Sequence, residues 1–405
     1  MPSSFVGDAV ASRLAAFLTA LQADSAEYGA ESTLFVDAAK DTLGGGKRLR
    51  ARFCHAGWQA ASPDEDADLE PLWGLCAALE IFQSAALVHD DLIDNSDTRR
   101  GRPAAHRALE AAHRSAGWHG DAESFGRSSA VLLGDLLVAW SDDLLEDALS
   151  EHPHAPATRA EYARMRRDVT MGQMLDITEE SAWSVSPPED LLERALRVAS
   201  LKSARYSVME PLLLGATLAG ADEALLASLR AFGHPVGMAF QLRDDLLGVF
   251  GDPAVTGKPA GDDLREGKRT ALIAVAREQL SDSTRAELDA ALGDPELSPD
   301  TVTSLQRLIR STGVRRAHRE HDLGLHRSGG AGTGIRGDRR GLRDRPANAG
   351  AGGDQSLGLT VEADRSRSMI RRACARCAER RSCDRRAGRR SASCPGSPPR
   401  SSASR

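Results

Sequence analysis

The sequence has little cysteine, little lysine and few aromatic residues, and the shortage of cysteine excludes classes of protein. Of its 405 residues, six are cysteine and 4% are aromatic, and only Cys54 and Cys76 lie before residue 314. Two scattered cysteines form no disulfide framework and fit a reducing compartment. The start of the chain lacks the basic and apolar regions of a signal peptide, and no run approaches the ~20 apolar residues of a membrane span. We therefore predict a cytoplasmic protein without a membrane span.

The charge of the chain is divided unevenly between two regions. Residues 314–405 carry 22 arginines, no lysine and nine acidic residues, a net charge of +13, whereas residues 1–313 have a net charge of −19. The C-terminal region is biased towards Arg, Gly, Ala, Ser and Pro and has no lasting helical period, so it cannot bury a core. We predict a folded domain at 1–313 and a low-complexity tail at 314–405.

The tail permits several interpretations. Its arginines would attract nucleic acid without sequence preference. Its four cysteines would suggest zinc, but their spacings are irregular (Cys374, Cys377, Cys383 and Cys394). A GxGxxG match at residues 332–337 follows no strand pattern and is taken as chance. We prefer the interpretation that the tail is an aberrant or out-of-frame continuation, and we expect no nucleic-acid partner.

Helical periodicity runs through residues 1–313, and the alternating period of a half-buried strand is missing. Helices are predicted at 8–28, 31–43, 69–94, 128–149, 157–180, 188–206, 207–219, 222–250, 268–280, 284–292 and 298–312. The domain is therefore predicted to be all-α.

Two of these helical runs end in paired aspartates. Asp90 and Asp94 lie one turn apart on one face, and Asp244 and Asp245 end another run. Carboxylates this close repel one another unless a hard cation lies between them and a ligand, and oxygen donors suit Mg²⁺. The alternative for a single motif is a solvated acidic helix end. Two such ends facing each other would form a polyphosphate site.

Basic residues accompany these motifs. Three glycines, at 44–46, precede Lys47 and Arg50, which share a face if a helix begins there, and glycine lets backbone N–H groups approach an anion. The alternative is a helix start with solvated basic residues. Arg99 and Arg100 follow the first aspartate motif and would fork onto phosphates. Only five of the 52 basic residues are lysines, and four of these lie in or beside such segments.

Six motifs occur in a fixed order: GGGKRLR, DDLID followed by RRGRP, GQMLD, LKSARYS, QLRDD and GKPAGDDLREGKRT. In these motifs, from about residue 5 to residue 313, the chain resembles the trans-isoprenyl diphosphate synthases (polyprenyl synthetases), most of all the bacterial geranylgeranyl diphosphate synthases. The resemblance implies a helical bundle of the isoprenoid synthase type around a central cavity. It also implies a homodimer and a Mg²⁺-dependent transfer of an allylic prenyl group to isopentenyl diphosphate.

The resemblance further implies roles for individual residues. Mg²⁺ on the allylic diphosphate would be held by Asp90, Asp94 and Asp244. Isopentenyl diphosphate would be bound by Lys47, Arg50, Gln83 and Arg100. The allylic diphosphate would be bound by Arg99, Lys202, Gln241, Lys258 and Lys268, of which Lys202 and Lys258 count as catalytic with the three aspartates. These cations would stabilise the departing diphosphate, and an apolar cavity would keep water from the carbocation.

The sequence departs from the family pattern at three positions. Gly248 stands where many relatives carry a third Asp, Gln83 where longer-chain relatives often have His, and Ser203 where Thr is common. The chain lacks the N/D-x-x-S/T-x-x-x-E motif, which argues against a class I terpene cyclase. Relatives end with further core helices where this tail begins, so an impaired or regulatory relative is the alternative to an active enzyme.

The product is expected to be geranylgeranyl diphosphate. A chain anchored at Asp90 would run beside the helix that carries it, past Ala85 and Ala86, where relatives that stop at fifteen carbons commonly place an aromatic residue. The next bulky residue is Phe82, about 12 Å along the axis from Asp90. The alternative is that the two alanines only permit close helix packing.

Overall fold

The chain is almost entirely helical in the residues that the computed structural model describes, which are 3–62, 67–252 and 260–313. The α-helices are α1 (Ser3–Asp24), α2 (Thr33–Leu43), α3 (Leu49–Ala61), α4 (Glu70–Ile93), α5 (Ala105–Ser115), α6 (Ala122–Leu149), α7 (Ala155–Ala182), α8 (Leu191–Val198), α9 (Glu210–Leu218), α10 (Glu223–Phe250), α11 (Asp262–Arg265), α12 (Ala271–Glu278), α13 (Asp282–Ala291) and α14 (Pro299–Ser311). A π-helical segment, Ala199–Met209, joins α8 to α9. The predictions for 314–405 lie outside the described residues.

The all-α prediction is confirmed, with one small exception among the described residues. Strands β1 (Thr98–Arg99) and β2 (Arg102–Pro103) form a two-residue antiparallel ladder after α4. The turn between them places Arg100 and Gly101 at φ 53° and 73°, the left-handed pair of a type I′ hairpin. Arg100 therefore holds a backbone conformation that favours glycine.

Helices α3 and α5 are absent from the predicted set, and their buried faces explain why. The buried residues of α3 include His55 and Gly57, and those of α5 include His106, Glu110 and His113. A helix that buries small and polar residues gives a weak apolar signal in the sequence, because few large apolar side chains mark its buried face. The predicted break between 206 and 207 is also wrong, because the π-helical segment runs into α9 without interruption.

Helix α4 is the centre of the larger core. It packs against α1, α2, α3, α5 and α6, and its buried side chains run nearly all round the helix. It is the one helix in the described part of the chain that is long and apolar enough to cross a membrane, but 78% of its most apolar stretch is buried inside the protein. We therefore describe α4 as a core helix, and its C-terminal end carries Asp90 and Asp94 into the middle of the bundle.

A second cluster of buried apolar residues lies where α10 ends and the chain continues into α11–α14. It includes Val249, Leu264, Leu272, Val302 and Ile309. Helix α10 starts at a cap in which Asp222 Oδ1 accepts a hydrogen bond from Leu225 N at 2.9 Å. The second aspartate motif, on the last turns of α10, therefore belongs to a smaller core than the first.

Candidate active site

A cavity of about 430 Å³ lies between α4, α7, the π-helical segment, α10 and the segment that leads from α11 to α12. Five of the predicted site residues line it: Asp90, Lys202, Gln241, Asp244 and Lys268. The structure thus brings residues of both aspartate motifs to one cavity. Lys258 lies outside the described residues.

The first aspartate motif is surrounded by cations. Asp94 ends α4, and its backbone N–H donates to the Asp90 carbonyl at 2.8 Å, so the two side chains are one turn apart. Lys202 Nζ lies 3.1 Å from Asp90 Oδ1, and Lys268 Nζ lies 3.2 Å from Asp94 Oδ2. Burial raises the pKa of Asp90, but Lys202, Lys268 and Arg99 outweigh this effect and leave the pKa below its ordinary value. Asp90 is therefore ionised at neutral pH.

Arg99 is held by the middle aspartate of the same motif. Its Nε donates to Asp91 Oδ1 at 2.7 Å, and its Nη2 contacts the same oxygen and lies 3.6 Å from Asp90 Oδ2. Asp91 is almost completely buried, and burial raises the pKa of its carboxyl despite this pairing. Asp91 therefore fixes the guanidinium beside the cavity instead of lining the cavity itself.

Lys202 reaches Asp90 because two glycines let neighbouring helices approach the π-helical segment. A Cβ atom at Gly172 of α7 would lie within 3.0 Å of the Lys202 backbone, and one at Gly237 of α10 would do the same to Ala204. Real Cβ atoms essentially never come so close. π-Helical turns are rare in proteins, but those that occur are often found at functional sites. Here the segment presents Lys202 to the cavity.

Asp176 of α7 is a cavity residue that the sequence analysis did not assign. It lies one turn after Gly172, and Lys202 Nζ donates to its Oδ2 at 2.6 Å. Burial lowers the pKa of Lys202, but Asp90 and Asp176 outweigh it and raise the pKa above its ordinary value. The GQMLD motif contains both residues, so the i, i+4 spacing of Gly172 and Asp176 was the available signal.

The second aspartate motif has no such cations. Among the described residues, neither Asp244 nor Asp245 forms an ion pair with lysine or arginine, and Gln241 Nε2 donates to Asp245 Oδ1 at 2.7 Å. Asp244 is exposed to the cavity, yet the surrounding protein removes enough water to raise its pKa to about 6, which Arg243 and Lys47 offset only in part. Complete burial, aggravated by Asp263, raises the pKa of Asp245 to about 8.

The segment between α11 and α12 supplies the remaining polar wall. Burial lowers the pKa of Lys268, but Asp263, Glu266 and Asp94 outweigh it and raise the pKa well above its ordinary value. The next two residues, Arg269 and Thr270, also line the cavity and are not among the predicted site residues. Among the described residues, Arg269 Nε and Nη1 and Thr270 Oγ1 are buried without a hydrogen-bond partner, so they are donors available to an anion in the cavity.

A second basic cluster lies beside the ladder of β1 and β2, and none of its residues lines the cavity. It is made of Lys47, Arg50, Gln83 and Arg100. Arg100 Nη1 donates to the Gly44 carbonyl at 3.1 Å, and burial together with Arg48, Arg99 and Arg50 lowers the pKa of Arg100. Helix α3 begins at Leu49, so Lys47 precedes the helix and does not share a helical face with Arg50.

Arg50 and Gln83 complete this cluster. Arg50 Nη2 donates to Ser207 Oγ at 2.7 Å, and its guanidinium carbon lies 4.2 Å from the centre of the Tyr206 ring. The Gln83 Oε1 atom is buried and has no hydrogen-bond partner in the part of the chain that the structure describes. Crowded guanidinium groups of one sign are the arrangement expected of an anion site.

The three residues assigned to product length do not line the described cavity. Ala85 is 1% exposed and Phe82 6% exposed, while Ala86 is half-buried. Phe82 makes edge-on contacts with Tyr162 and Tyr206, at centroid distances of 6.3 and 5.8 Å. The tunnel therefore stays a prediction, and the burial of Ala85 agrees with its alternative, close helix packing.

The donors around the cavity fit a hard divalent cation. Among the described residues, no three His, Cys, Asp or Glu side chains converge on one point, so the two motifs face the cavity as separate walls. The donors are carboxylates without His or Cys, which is the set that Mg²⁺ prefers. The ammonium groups of Lys202 and Lys268 lie against Asp90 and Asp94, which shows that this wall stabilises positive charge.

Comparison with known proteins identifies the family. Residues 32–309 match the model of the polyprenyl synthetase family. The chain is 34% identical over 269 residues to the geranylgeranyl diphosphate synthase of Mycobacterium tuberculosis, covering 66% of this chain and 69% of the relative. It is 31% identical over 274 residues to a (2E,6E)-farnesyl diphosphate synthase of the same species, covering 67% and 68%.

Solved structures show the same fold. A geranylgeranyl pyrophosphate synthase from Corynebacterium glutamicum, complexed with isoprenyl diphosphate and magnesium, superposes with a TM-score of 0.77 at 41% identity and covers 82% of this chain and 93% of its own. The family model matches well over half of the chain. The chain therefore belongs to the polyprenyl synthetase family and is a trans-prenyl diphosphate synthase, an enzyme that transfers prenyl groups.

Proposed function

We propose that the enzyme condenses isopentenyl diphosphate with an allylic diphosphate in a Mg²⁺-dependent reaction, and that its product is geranylgeranyl diphosphate. The observation that carries the proposal is the cavity itself. One wall holds Asp90 against Lys202, and the facing wall presents Asp244. A diphosphate with divalent cations satisfies both walls, because it brings positive charge to the carboxylates and negative charge to the lysines.

The allylic diphosphate is assigned to the cavity. Asp90, Asp94 and Asp244 would hold Mg²⁺, which when bound supplies Lewis-acid stabilisation of the leaving diphosphate. Lys202 and Lys268 donate to its oxygens, and Gln241 contributes its amide. Arg99, fixed by Asp91, adds positive charge at the edge of the cavity. Lys258 keeps its assignment as a prediction.

Isopentenyl diphosphate is assigned to the second basic cluster, made of Lys47, Arg50, Gln83 and Arg100. Two observations support this assignment. Burial lowers the pKa of Arg100, and Arg48, Arg99 and Arg50 lower it further. The guanidinium groups are therefore close to one another. The buried Gln83 Oε1 has no partner among the described residues, so a ligand would complete its hydrogen bonding.

The length of the prenyl product is assigned from the helix that carries Asp90. Ala85 and Ala86 present only methyl groups one turn before the aspartate, and we propose that the growing chain passes them as far as Phe82. Relatives are named as farnesyl, geranylgeranyl and geranylfarnesyl diphosphate synthases. The geranylgeranyl product is favoured by the Corynebacterium structure, the neighbour with 41% identity.

We also propose a cytoplasmic homodimer. The described part of α6 leaves Val131 and Leu132 exposed, and that of α7 leaves Met171 and Met174 exposed. Four large apolar side chains on two successive helices favour a covered surface over a solvated one. Light scattering coupled to size-exclusion chromatography measures the mass directly, and a monomer across the micromolar range would refute the dimer.

The reaction is tested by a single set of incubations. Protein treated with EDTA is supplied with radiolabelled isopentenyl diphosphate and one allylic primer of five, ten or fifteen carbons, with or without Mg²⁺. We expect a twenty-carbon product that requires Mg²⁺. A product that stops at fifteen carbons would refute the chain length alone. No product from any primer would favour the impaired relative.

A further inference from the structure

We infer that Glu80 of α4 is a positioning residue for isopentenyl diphosphate, because its carboxylate holds the start of α3 in the arrangement that places Lys47 and Arg50. The inference rests on the proposed function, which assigns this substrate to the second basic cluster. Glu80 is 7% exposed and is the one Asp, Glu, Lys or Arg residue between Glu70 and Asp90. A buried charge is costly unless it is paired and hydrogen-bonded, so its partners define what it does.

Helix α3 begins without a cap from its own sequence. The residue before it is Arg48, whose side chain has no hydrogen-bond acceptor and whose φ of 49° lies in the left-handed region. The first N–H groups of a helix need acceptors, which Ser, Thr, Asp or Asn usually supply. Here Glu80 Oε1 accepts a hydrogen bond from the N–H of Ala51, the third residue of α3, at 3.4 Å. Glu80 therefore caps α3 from a different helix.

The same carboxylate holds Arg48. Arg48 Nη1 donates to Glu80 Oε2 at 3.1 Å, and Arg48 Nη2 donates to the Leu43 carbonyl at 2.5 Å. The side chains of Arg48 and Glu80 are only 15% and 8% exposed, so the pair is largely removed from water. A left-handed backbone is unfavourable for arginine, and these contacts keep it in place. Lys47 directly precedes Arg48, so its backbone is fixed by the same pair.

Arg50 is held from two sides. Its backbone lies between the two residues that Glu80 contacts, while its side chain contacts Tyr206 and donates to Ser207 Oγ. In the described part of the chain, Arg50 Nε is buried and has no hydrogen-bond partner. Glu80 thus fixes the backbone of a residue that keeps one buried donor for a ligand.

The charge of Glu80 acts in the opposite direction from its position. Burial and neighbouring arginines lower the pKa of Arg100, and Glu80 opposes them, so its carboxylate is close to the cluster. A carboxylate at this place repels a diphosphate. The alternative role is therefore a counter-ion that only reduces the charge of the cluster. Removing a positioning residue weakens anion binding, whereas removing a counter-ion strengthens it.

Three variants separate these roles. Glu80→Ala removes both acceptor oxygens together with the charge. Glu80→Gln also removes the charge, but it keeps the shape and one acceptor oxygen. Glu110→Ala is the matched control, because Glu110 of α5 is also buried and is paired with Arg107 at 2.8 Å and Arg114 at 2.5 Å. Glu110 belongs to neither proposed substrate site.

The readout is calorimetric titration of the complete chain with isopentenyl diphosphate, in the presence of Mg²⁺ and an unreactive allylic analogue whose diphosphate is linked through sulfur. We expect Glu80→Ala to weaken the affinity by about tenfold or more, because small displacements of binding groups have large effects. Glu80→Gln should lose less, and Glu110→Ala should bind like wild type. The KM for the allylic substrate should stay unchanged in all three variants, a separation that a general loss of stability would not produce.

Circular dichroism and thermal melting verify that each variant is folded. If Glu80→Ala does not fold, Glu80→Gln decides by its sign, since weaker binding supports positioning and equal or tighter binding refutes it. An equal rise of the allylic KM in the Glu80 variants would also overturn the inference. A wild-type protein that binds isopentenyl diphosphate but forms no product would refute the proposed function alone, and the affinities of the variants would still decide the role of Glu80.

Discussion

The two aspartate motifs share a cavity but differ in electrostatics. The motif on α4 is paired with cations, since Asp90 contacts Lys202 and Asp94 contacts Lys268. The motif on α10 has no such ion pair among the described residues, and desolvation raises the pKa of Asp244 to about 6 and of Asp245 to about 8. The first wall is thus neutralised by the protein, whereas the second needs cations from solution. Metal ligands must be deprotonated, so the second wall is where metal binding and proton release are most strongly coupled.

The largest expected effect is on turnover. Asp90→Ala and Asp244→Ala should each reduce turnover about a thousandfold, the upper end for removing one electrostatic group from an active site. Steady-state assays with Mg²⁺ measure this, and circular dichroism verifies the fold. Asp143→Ala, at an exposed position of α6, is the control and should retain wild-type turnover. Wild-type rates in either cavity variant would refute its assignment as a metal ligand.

A second prediction concerns the contact between α10 and the π-helical segment. Gly237→Ala places a methyl group against the Ala204 backbone and should lower the free energy of unfolding by about 1–3 kcal/mol, the usual cost of overpacking. Urea unfolding measures it. Gly7→Ala in α1, where an added Cβ atom meets nothing within 4 Å, should instead be neutral or stabilising by up to about 1 kcal/mol. Equal effects in both variants would show that the close approach is not required.

The two lysine sites should be separable in kinetics. Lys47→Ala is expected to raise KM mainly for isopentenyl diphosphate, and Lys268→Ala mainly for the allylic substrate, each by about tenfold or more because a charged hydrogen bond is lost. Initial rates with one substrate varied at a time give the two KM values. The opposite pattern would mean that the two substrate sites are exchanged.

The electrostatic difference also predicts a pH dependence of stability without metal. A buried carboxyl whose pKa is raised in the folded state contributes stability below its ordinary pKa, and this contribution is lost as the pH rises through about 8 for Asp245. In EDTA the free energy of unfolding should therefore fall between about pH 4 and about pH 8. Asp245→Asn should reduce the fall by about 1.4 kcal/mol for each unit of pKa shift. An unchanged pH profile in this variant would contradict the raised pKa.

The smallest effect concerns the wall of α4 alone. Ala86→Phe should shift the product towards farnesyl diphosphate without abolishing the first condensation, because an aromatic ring would close the proposed tunnel. Chromatography of the radiolabelled products measures their length. Ala86→Ser, which adds no bulk, should leave the length unchanged. A Phe variant with the wild-type product would refute the tunnel.

The sequence was sufficient for the long elements and insufficient for contacts between them. Helices α4, α6, α7 and α10 have apolar periods long enough to predict, and the C-terminal ends of α4 and α10 carry the two aspartate motifs to one cavity. Asp176 was missed because its partner, Lys202, lies in a π-helical segment, and the apolar periodicity of the sequence does not predict such a segment. Glu80 was missed because its contacts with Arg48 and Ala51 depend on how α3 packs against α4.

The π-helical segment Ala199–Met209 connects the two proposed substrate sites. Its Lys202 contacts Asp90 and Asp176 in the cavity, while its Tyr206 and Ser207 hold Arg50 in the second basic cluster. A diphosphate that draws Lys202 towards itself acts on the same turn of backbone that positions Arg50. Linkage is reciprocal for binding free energies. Occupation of either site should therefore change the affinity of the other by the same factor.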